Sequence, residues 1–171
     1  MEKDFFEIIR TRRSCRSYRK EQIKDEELKT VLEAGTYAPT SRGKQAPFIV
    51  AEELLARLAK MNAEVMGVTS NPYYDAPTYI LVVVSTESHN PICDGSCVLE
   101  NMMLAANALG LGTCWIHRER EMFETEEGKQ LLKEWGIPEN VIGVGALSIG
   151  YPDGEPSPVK PRKEGYYRII K

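Results

Sequence analysis

The stretch from Asp94 to Leu109 constrains this chain most. Within it Val98, Leu99, Met102, Met103, Leu104, Ala105, Ala106 and Leu109 set apolar side chains around most of a helix's circumference. Such a helix has little face to give to water, so it is expected inside a structure, with some of its contacts made to a second subunit. Gly110 and Gly112 end it. The second strong signal is Tyr79 to Val84, the run YILVVV. It has strand length, is rich in β-branched residues and does not alternate, which predicts a strand covered on both faces.

The remaining pattern fills in around these two. Asp4 to Arg12 suits a short amphipathic helix. A second helix is expected from Asp25, as N-cap, to Gly35, as stop. Ala38 to Pro47 is rich in turn residues and predicts a loop. Phe48 to Ala51 reads as a strand, Glu52 to Met66 as a helix, and Thr113 to Ile116 as a strand. Glu124 to Trp135 reads as a polar helix and Val141 to Ile149 as the last clear strand. Tyr166 to Ile170 is expected to be a late strand that pairs with a partner chain. About four strands alternate irregularly with four or five helices, which predicts an α+β or mixed layered fold. The 171 residues fit a single domain, 1–171.

Composition narrows the class. With 22 Lys+Arg against 25 Asp+Glu, the net charge of -3 argues against a nucleic-acid coat. No apolar run approaches the ~20 residues of a membrane span. The opening MEKDFFEIIRTRR has no apolar core of a signal peptide, so the expected compartment is the cytosol. There Cys15, Cys93, Cys97 and Cys114 are expected as free thiols. No zinc spacing accompanies Cys93 and Cys97, and no metal is expected.

Three segments could bear chemistry. Arg12, Arg13, Ser14, Cys15 and Arg16 follow the first helix directly. Guanidinium groups hold phosphate through paired, charge-assisted hydrogen bonds, and a serine hydroxyl adds another donor. Read alone, the cluster is a phosphate site or a solvated basic turn. Lys160, Pro161, Arg162 and Lys163 form a second basic cluster, read as a further phosphate clamp or a mobile tail. The loop Ala38 to Gln45 offers hydroxyls and a glycine for close backbone approach. No zinc-protease pair, nucleophile elbow or Walker loop is present, and Gly143-Val144-Gly145 lies within a strand-like run, where close packing is the expected role. A chain with no evident acid, base, nucleophile or metal points to a cofactor that carries the chemistry.

These segments, in this order, resemble the nitroreductase family of flavin enzymes. Ile9 to Tyr18 resembles the family's Ile-x-x-Arg-Arg-Ser-x-Arg-x-Tyr/Phe. Ala38 to Pro47 resembles its Ala-Pro-Ser-x-x-Asn-x-Gln-Pro. Asp94 to Ile116 resembles its central helix and following strand, and Ile149 to Pro152 with Pro161 to Lys163 its C-terminal pattern. The resemblance implies an α+β three-layer sandwich, with a mixed, mainly antiparallel sheet flanked by helices. It implies an intertwined homodimer with FMN at the interface, and NAD(P)H as co-substrate. Electrons would pass through flavin N5 to a nitro compound, quinone or similar acceptor in a ping-pong cycle.

Residue by residue, the resemblance implies that Arg12 and Ser14, with Lys160 and Arg162, hold the FMN phosphate. Arg13 lies beside the ribityl chain or phosphate, and Arg16 reaches the pyrimidine edge. Pro39, Thr40 and Ser41 cover the flavin from the other subunit. Trp115, Ile116, His117 and Arg118 follow the ring and offer backbone N–H groups to its N5/O4 edge. Gly43 stands where many members carry Asn against the ring, with Lys44 and Gln45 beside it. His117 and Arg118 stand where small or acidic residues are common, which implies a narrower or more basic substrate face. A flavin-binding or regulatory protein with little turnover is the alternative on these two departures.

Overall fold

A computed structural model of the chain describes residues 4–52 and 55–170. In chain order the elements are helix α1 (Phe5–Thr11), helix α2 (Asp25–Thr36), strand β1 (Pro47–Glu52), helix α3 (Leu55–Met66), strand β2 (Thr78–Ser85), helix α4 (Pro91–Ala108), strand β3 (Gly112–Ile116), helices α5 (Glu119–Glu124) and α6 (Glu126–Glu134), and strand β4 (Val141–Gly150). A single 3-10 turn, Ser41–Gly43, interrupts the loop before β1.

The sheet runs β1-β2-β4-β3, and each pair is antiparallel. Strand β2 is central and buried along nearly its whole length, as the unbroken apolar run requires. Tyr79, Leu81 and Val83 point to one face, where Leu58, Met61, Met122, Phe123, Leu131 and Leu132 of α3, α5 and α6 cover them. Ile80, Val82 and Val84 point to the other, under Val31 of α2 and Val98, Leu99 and Met102 of α4. The result is three layers with a core on each side of the sheet.

Glycines set how closely the layers approach. A Cβ on Gly35 would lie 2.9 Å from both Ile49 Cδ1 and Met102 Cγ, so this residue lets α2 settle onto α4. It does not stop the helix, which continues to Thr36. The N-cap position is Lys24, not Asp25, because the Glu27 side chain accepts from the Lys24 N–H at 3.1 Å and draws the helix back one residue. Helix α4 begins at Pro91, three residues before Asp94, since proline is well placed in a first turn. Glu52 closes β1, α3 starts at Leu55, and the expected helical residues 53–54 lie outside the described residues.

The expected polar helix from Glu124 to Trp135 is α6, which begins two residues later, while Glu124 ends the separate helix α5. Thr125 is extended, and its hydroxyl accepts from the Gly128 N–H at 3.0 Å, which caps α6 anew. Residues 166–170 form no strand within the single chain and lie exposed. Phe5 and Phe6 on α1 are also exposed, at 63% and 64%. Among the described residues, no helix is long and apolar enough to cross a membrane.

Candidate functional site

Residues 14–18 lie along the outer edge of β3. The Cys15 N–H donates to the Thr113 carbonyl at 2.8 Å, and Ser14 pairs with Thr113 in a parallel bridge. Farther along, the Arg19 N–H reaches the Tyr151 carbonyl at 2.9 Å and the Asp153 N–H reaches the Ser17 carbonyl at 3.0 Å. Gly112 permits this approach: a Cβ there would sit 2.7 Å from Cys15 Sγ. Between the segment, the C-terminal end of α4 and residues 152–157 opens a cleft of about 530 Å³, with Arg13, Ser14 and Arg16 on its wall.

The three arginines are used differently. Arg12 turns toward α4, with Nε 3.9 Å from Glu100 Oε1. Arg13 lines the cleft. Its Nη1 donates to the Arg12 carbonyl, while its buried Nη2 finds no partner among the described residues. A buried guanidinium N–H without an acceptor is costly, so Arg13 keeps unused donor capacity beside the cleft. Arg16 also lines the cleft, and its Nε donates to the Tyr74 hydroxyl at 3.3 Å.

Tyr74 lines a second cleft, of about 670 Å³, at the other end of β3. Trp115, Ile116, His117 and Arg118 form its wall, opposite Ile92 of α4. Gly145 makes room for the Trp115 indole, since a Cβ there would meet Nε1 at 2.5 Å. The chain then turns at Arg118, whose φ is 89°, and its Nη1 pairs with Glu121 at 2.8 Å. Strand β3 therefore runs from the basic cleft to the aromatic one, roughly 15 Å over its five residues at ~3.3 Å each. Arg16 on Tyr74 links the two. A mononucleotide with a phosphate at one end and a flat ring at the other suits this layout.

Behind the second cleft lies a group that the sequence reading missed. Glu119 is 1% exposed. Its Oε1 accepts from the Tyr73 hydroxyl at 2.9 Å and from Asn62 Nδ2 at 3.4 Å, and its Oε2 has no partner among the described residues. Burial is the main cause that pushes this carboxyl up to about 8. The available signal was the spacing of Glu119, Met122 and Phe123, which puts one carboxyl on an apolar helix face. It was hidden within the charged run His117 to Glu121.

The loop at residues 39–45 lines neither cleft of its own chain. The Ser41 N–H and hydroxyl donate to Asp94 Oδ1 at 2.8 and 2.9 Å, and the Ser88 hydroxyl to Oδ2 at 2.6 Å. Asp94 is two residues beyond Ile92, about 200° around α4, so the loop is tied to the face away from the second cleft. Thr40 Oγ1 accepts from the Gln45 N–H at 3.0 Å. Pro39, Gly43 and Lys44 are exposed, and Gly43 is left-handed at φ 65° with open space around it. Lys160 and Arg162 are exposed as well, with Arg162 donating to the Lys160 carbonyl, and neither lines the basic cleft.

The nitroreductase family model matches residues 9–151. The chain belongs to the nitroreductase family. A provisionally named NADH dehydrogenase/NAD(P)H nitroreductase of Archaeoglobus fulgidus is 32% identical over 154 residues, covering 86% of this chain and 85% of the relative. An NADPH-flavin oxidoreductase of Vibrio harveyi is 26% identical, covering 91% of this chain and 68% of its own length. Among solved structures, a nitroreductase of Bacteroides fragilis with bound FMN aligns over 97% of this chain and 98% of its own, at 30% identity and a TM-score of 0.88.

Proposed function

We propose that the chain is an FMN-dependent oxidoreductase. It takes electrons from NAD(P)H and passes them to a small acceptor such as a nitro compound or quinone, in a ping-pong cycle. The observation that carries this reading is the pair of clefts at the two ends of β3, joined by Arg16 on Tyr74, with Arg13 and Ser14 on the wall of the basic one. Bound FMN would supply the reversible two-electron chemistry that these side chains lack.

Arg13 and Ser14 would take the phosphate, with Arg12 beside them once its exposed pair with Glu100 exchanges, since such pairs contribute little. Arg16 would set a fixed positive charge at the electron-rich edge of the ring. The backbone of Trp115 to Arg118 would face the ring's reactive edge, and protons would come from solvent through the open second cleft.

The working unit is a homodimer with FMN at the interface. Pro39, Thr40, Ser41, Gly43, Lys44 and Gln45 are held away from their own chain's clefts, and Lys160 and Arg162 project from the tail. A partner would bring these residues to the site. Exposed Phe5, Phe6, Tyr166, Tyr167, Ile169 and Ile170 give it apolar surface to cover. Residues 1–171 act as one domain, and the cytosol is the inferred compartment, where the four free cysteines stay reduced.

Anaerobic stopped-flow mixing of the FMN-loaded protein with NADH and with NADPH tests the reading. Rapid bleaching of the flavin, reversed by a nitro compound or quinone, is expected. Tight FMN binding with no bleaching by either donor would instead mark a flavin-binding protein with little turnover.

A further inference from the structure

The elements that wall the second cleft converge on Glu119. Helix α3, which leads to Met66 and Val68 at the cleft, contributes Asn62. The loop that carries Asn71, Pro72 and Tyr74 contributes Tyr73, fully buried and stacked on Tyr79 with centroids 4.0 Å apart. The turn after β3 contributes the His117 carbonyl, which accepts from Asn62 Nδ2 at 2.9 Å. Rigid placement of such walls is what a reaction site needs from the residues around it.

We infer that Glu119, in its protonated form, is a positioning residue that fixes the His117–Arg118 turn and the 71–76 loop around the second cleft. The inference rests on the reading of that cleft as the ring and acceptor end of the site.

An ionised carboxylate here would leave Oε2 charged and unpartnered in a dry place, whereas a carboxylic acid still accepts from Tyr73 through Oε1. No cation faces it among the described residues. From its own helix the titratable neighbour is Glu121, which repels a negative charge, and from the loop it is Tyr73, with Tyr79 of β2 behind. Arg118 and Arg120 are spent on Glu121 and Glu124 at the surface, and Lys60 of α3 pairs with Glu64. Strand β4 presents Gly143, where a Cβ would lie 2.4 Å from the Glu119 carbonyl carbon and oxygen. The backbone of Glu119 is therefore wedged. Ionisation is relieved only by opening the walls to water, and burial sets that event near pH 8.

The test uses FMN-loaded protein, a quinone acceptor and a pH series across this value. The wild type is expected to raise KM for the quinone by about fivefold as Glu119 ionises, the equivalent of one hydrogen bond. Glu119→Gln, neutral at every pH, loses the step, whereas Glu119→Ala raises KM throughout. Tyr73→Phe, which removes a donor to the carboxylate, moves the step to higher pH. In parallel, carbon-13 NMR of labelled glutamate should show one carboxyl titrating near 8, with linked shifts at the His117 and Arg118 amides, absent from Glu119→Gln. A KM step that persists in Glu119→Gln, or a Glu119 resonance in the ordinary carboxylate range, overturns the inference. Protein that binds no FMN or bleaches with no donor would defeat the proposed function alone. The NMR titration would then still decide the role of Glu119.

Discussion

The Arg16 guanidinium lies 5.8 Å from the centroid of the Tyr74 ring and hydrogen-bonds its hydroxyl, so one residue of the basic motif spans the gap between the two clefts. Tyr74 is held for this contact by a left-handed backbone, φ 58°, within a turn braced by Asn71 Nδ2 on Asp75 at 2.8 Å. A cation fixed there favours whichever flavin state carries more negative charge. Arg16→Ala is expected to lower the flavin reduction potential by about 20 mV, the equivalent of ~1 kcal/mol for two electrons. Equilibration with a reference dye reads the shift, and an unchanged potential removes Arg16 from that role. Tyr74→Phe keeps the ring and should give a smaller fall.

Asp94 holds the 39–45 loop on α4. Burial pushes its carboxyl up, but the hydrogen bonds from Ser88 and Ser41 outweigh burial and hold it below the usual carboxylate range. With the folded value depressed, its contribution is present above the unfolded pKa and fades as pH falls through the folded one. Asp94→Ala should destabilise the protein by about 3 kcal/mol at pH 7 in urea unfolding, with the gap to wild type closing in acid. If the loop completes a partner's site, the same variant weakens FMN binding more than Ser88→Ala does.

Glu119 carries the opposite sign. Its folded value, about 8, lies above the ordinary one, so the protonated form is favoured by folding. Its stabilisation is full below the unfolded pKa and is lost as pH rises toward 8. Wild type should lose up to about 1.4 kcal/mol per pH unit in this window relative to Glu119→Gln, and run parallel to it above. Urea midpoints from pH 5 to 9 for the two proteins provide the comparison, and parallel curves throughout would contradict a buried neutral carboxyl.

Gly143 and Gly35 separate two kinds of close contact. An added Cβ at Gly143 meets the Glu119 backbone, which cannot yield, whereas at Gly35 it meets the Ile49 and Met102 side chains. Gly143→Ala is expected to cost about 3 kcal/mol and Gly35→Ala about 1 kcal/mol. Thermal unfolding ranks them, and the reverse order would show that β4 can shift past α5.

The sequence exposed what depends on runs and periods. Strand β2 is legible because six apolar residues in a row have no solvent-facing alternative, and the buried face of α4 because Val98, Leu99, Met102 and Ala106 recur at helical spacing. The ends were less legible. Lys24 caps α2 through Glu27, and Thr125 splits the last helices, because each cap is decided by one hydrogen bond. The basic motif was visible as charge, yet nothing local indicates that Arg12 turns to Glu100 while Arg13 enters the cleft. Glu119 stayed hidden because its partners, Asn62 and Tyr73, are 57 and 46 residues away. The resemblance covered the gap that spacing left, and the family match over residues 9–151 agrees with it.

The proposed homodimer places FMN in a site completed by two copies of the chain. Sedimentation velocity of the FMN-loaded protein, followed at once by protein and by visible flavin absorbance, addresses it directly. A single dimer boundary that carries the yellow colour at one FMN per chain is expected, with colour and dimer lost together on dilution. A colourless protein, or a monomer that keeps its full share of FMN, would contradict it.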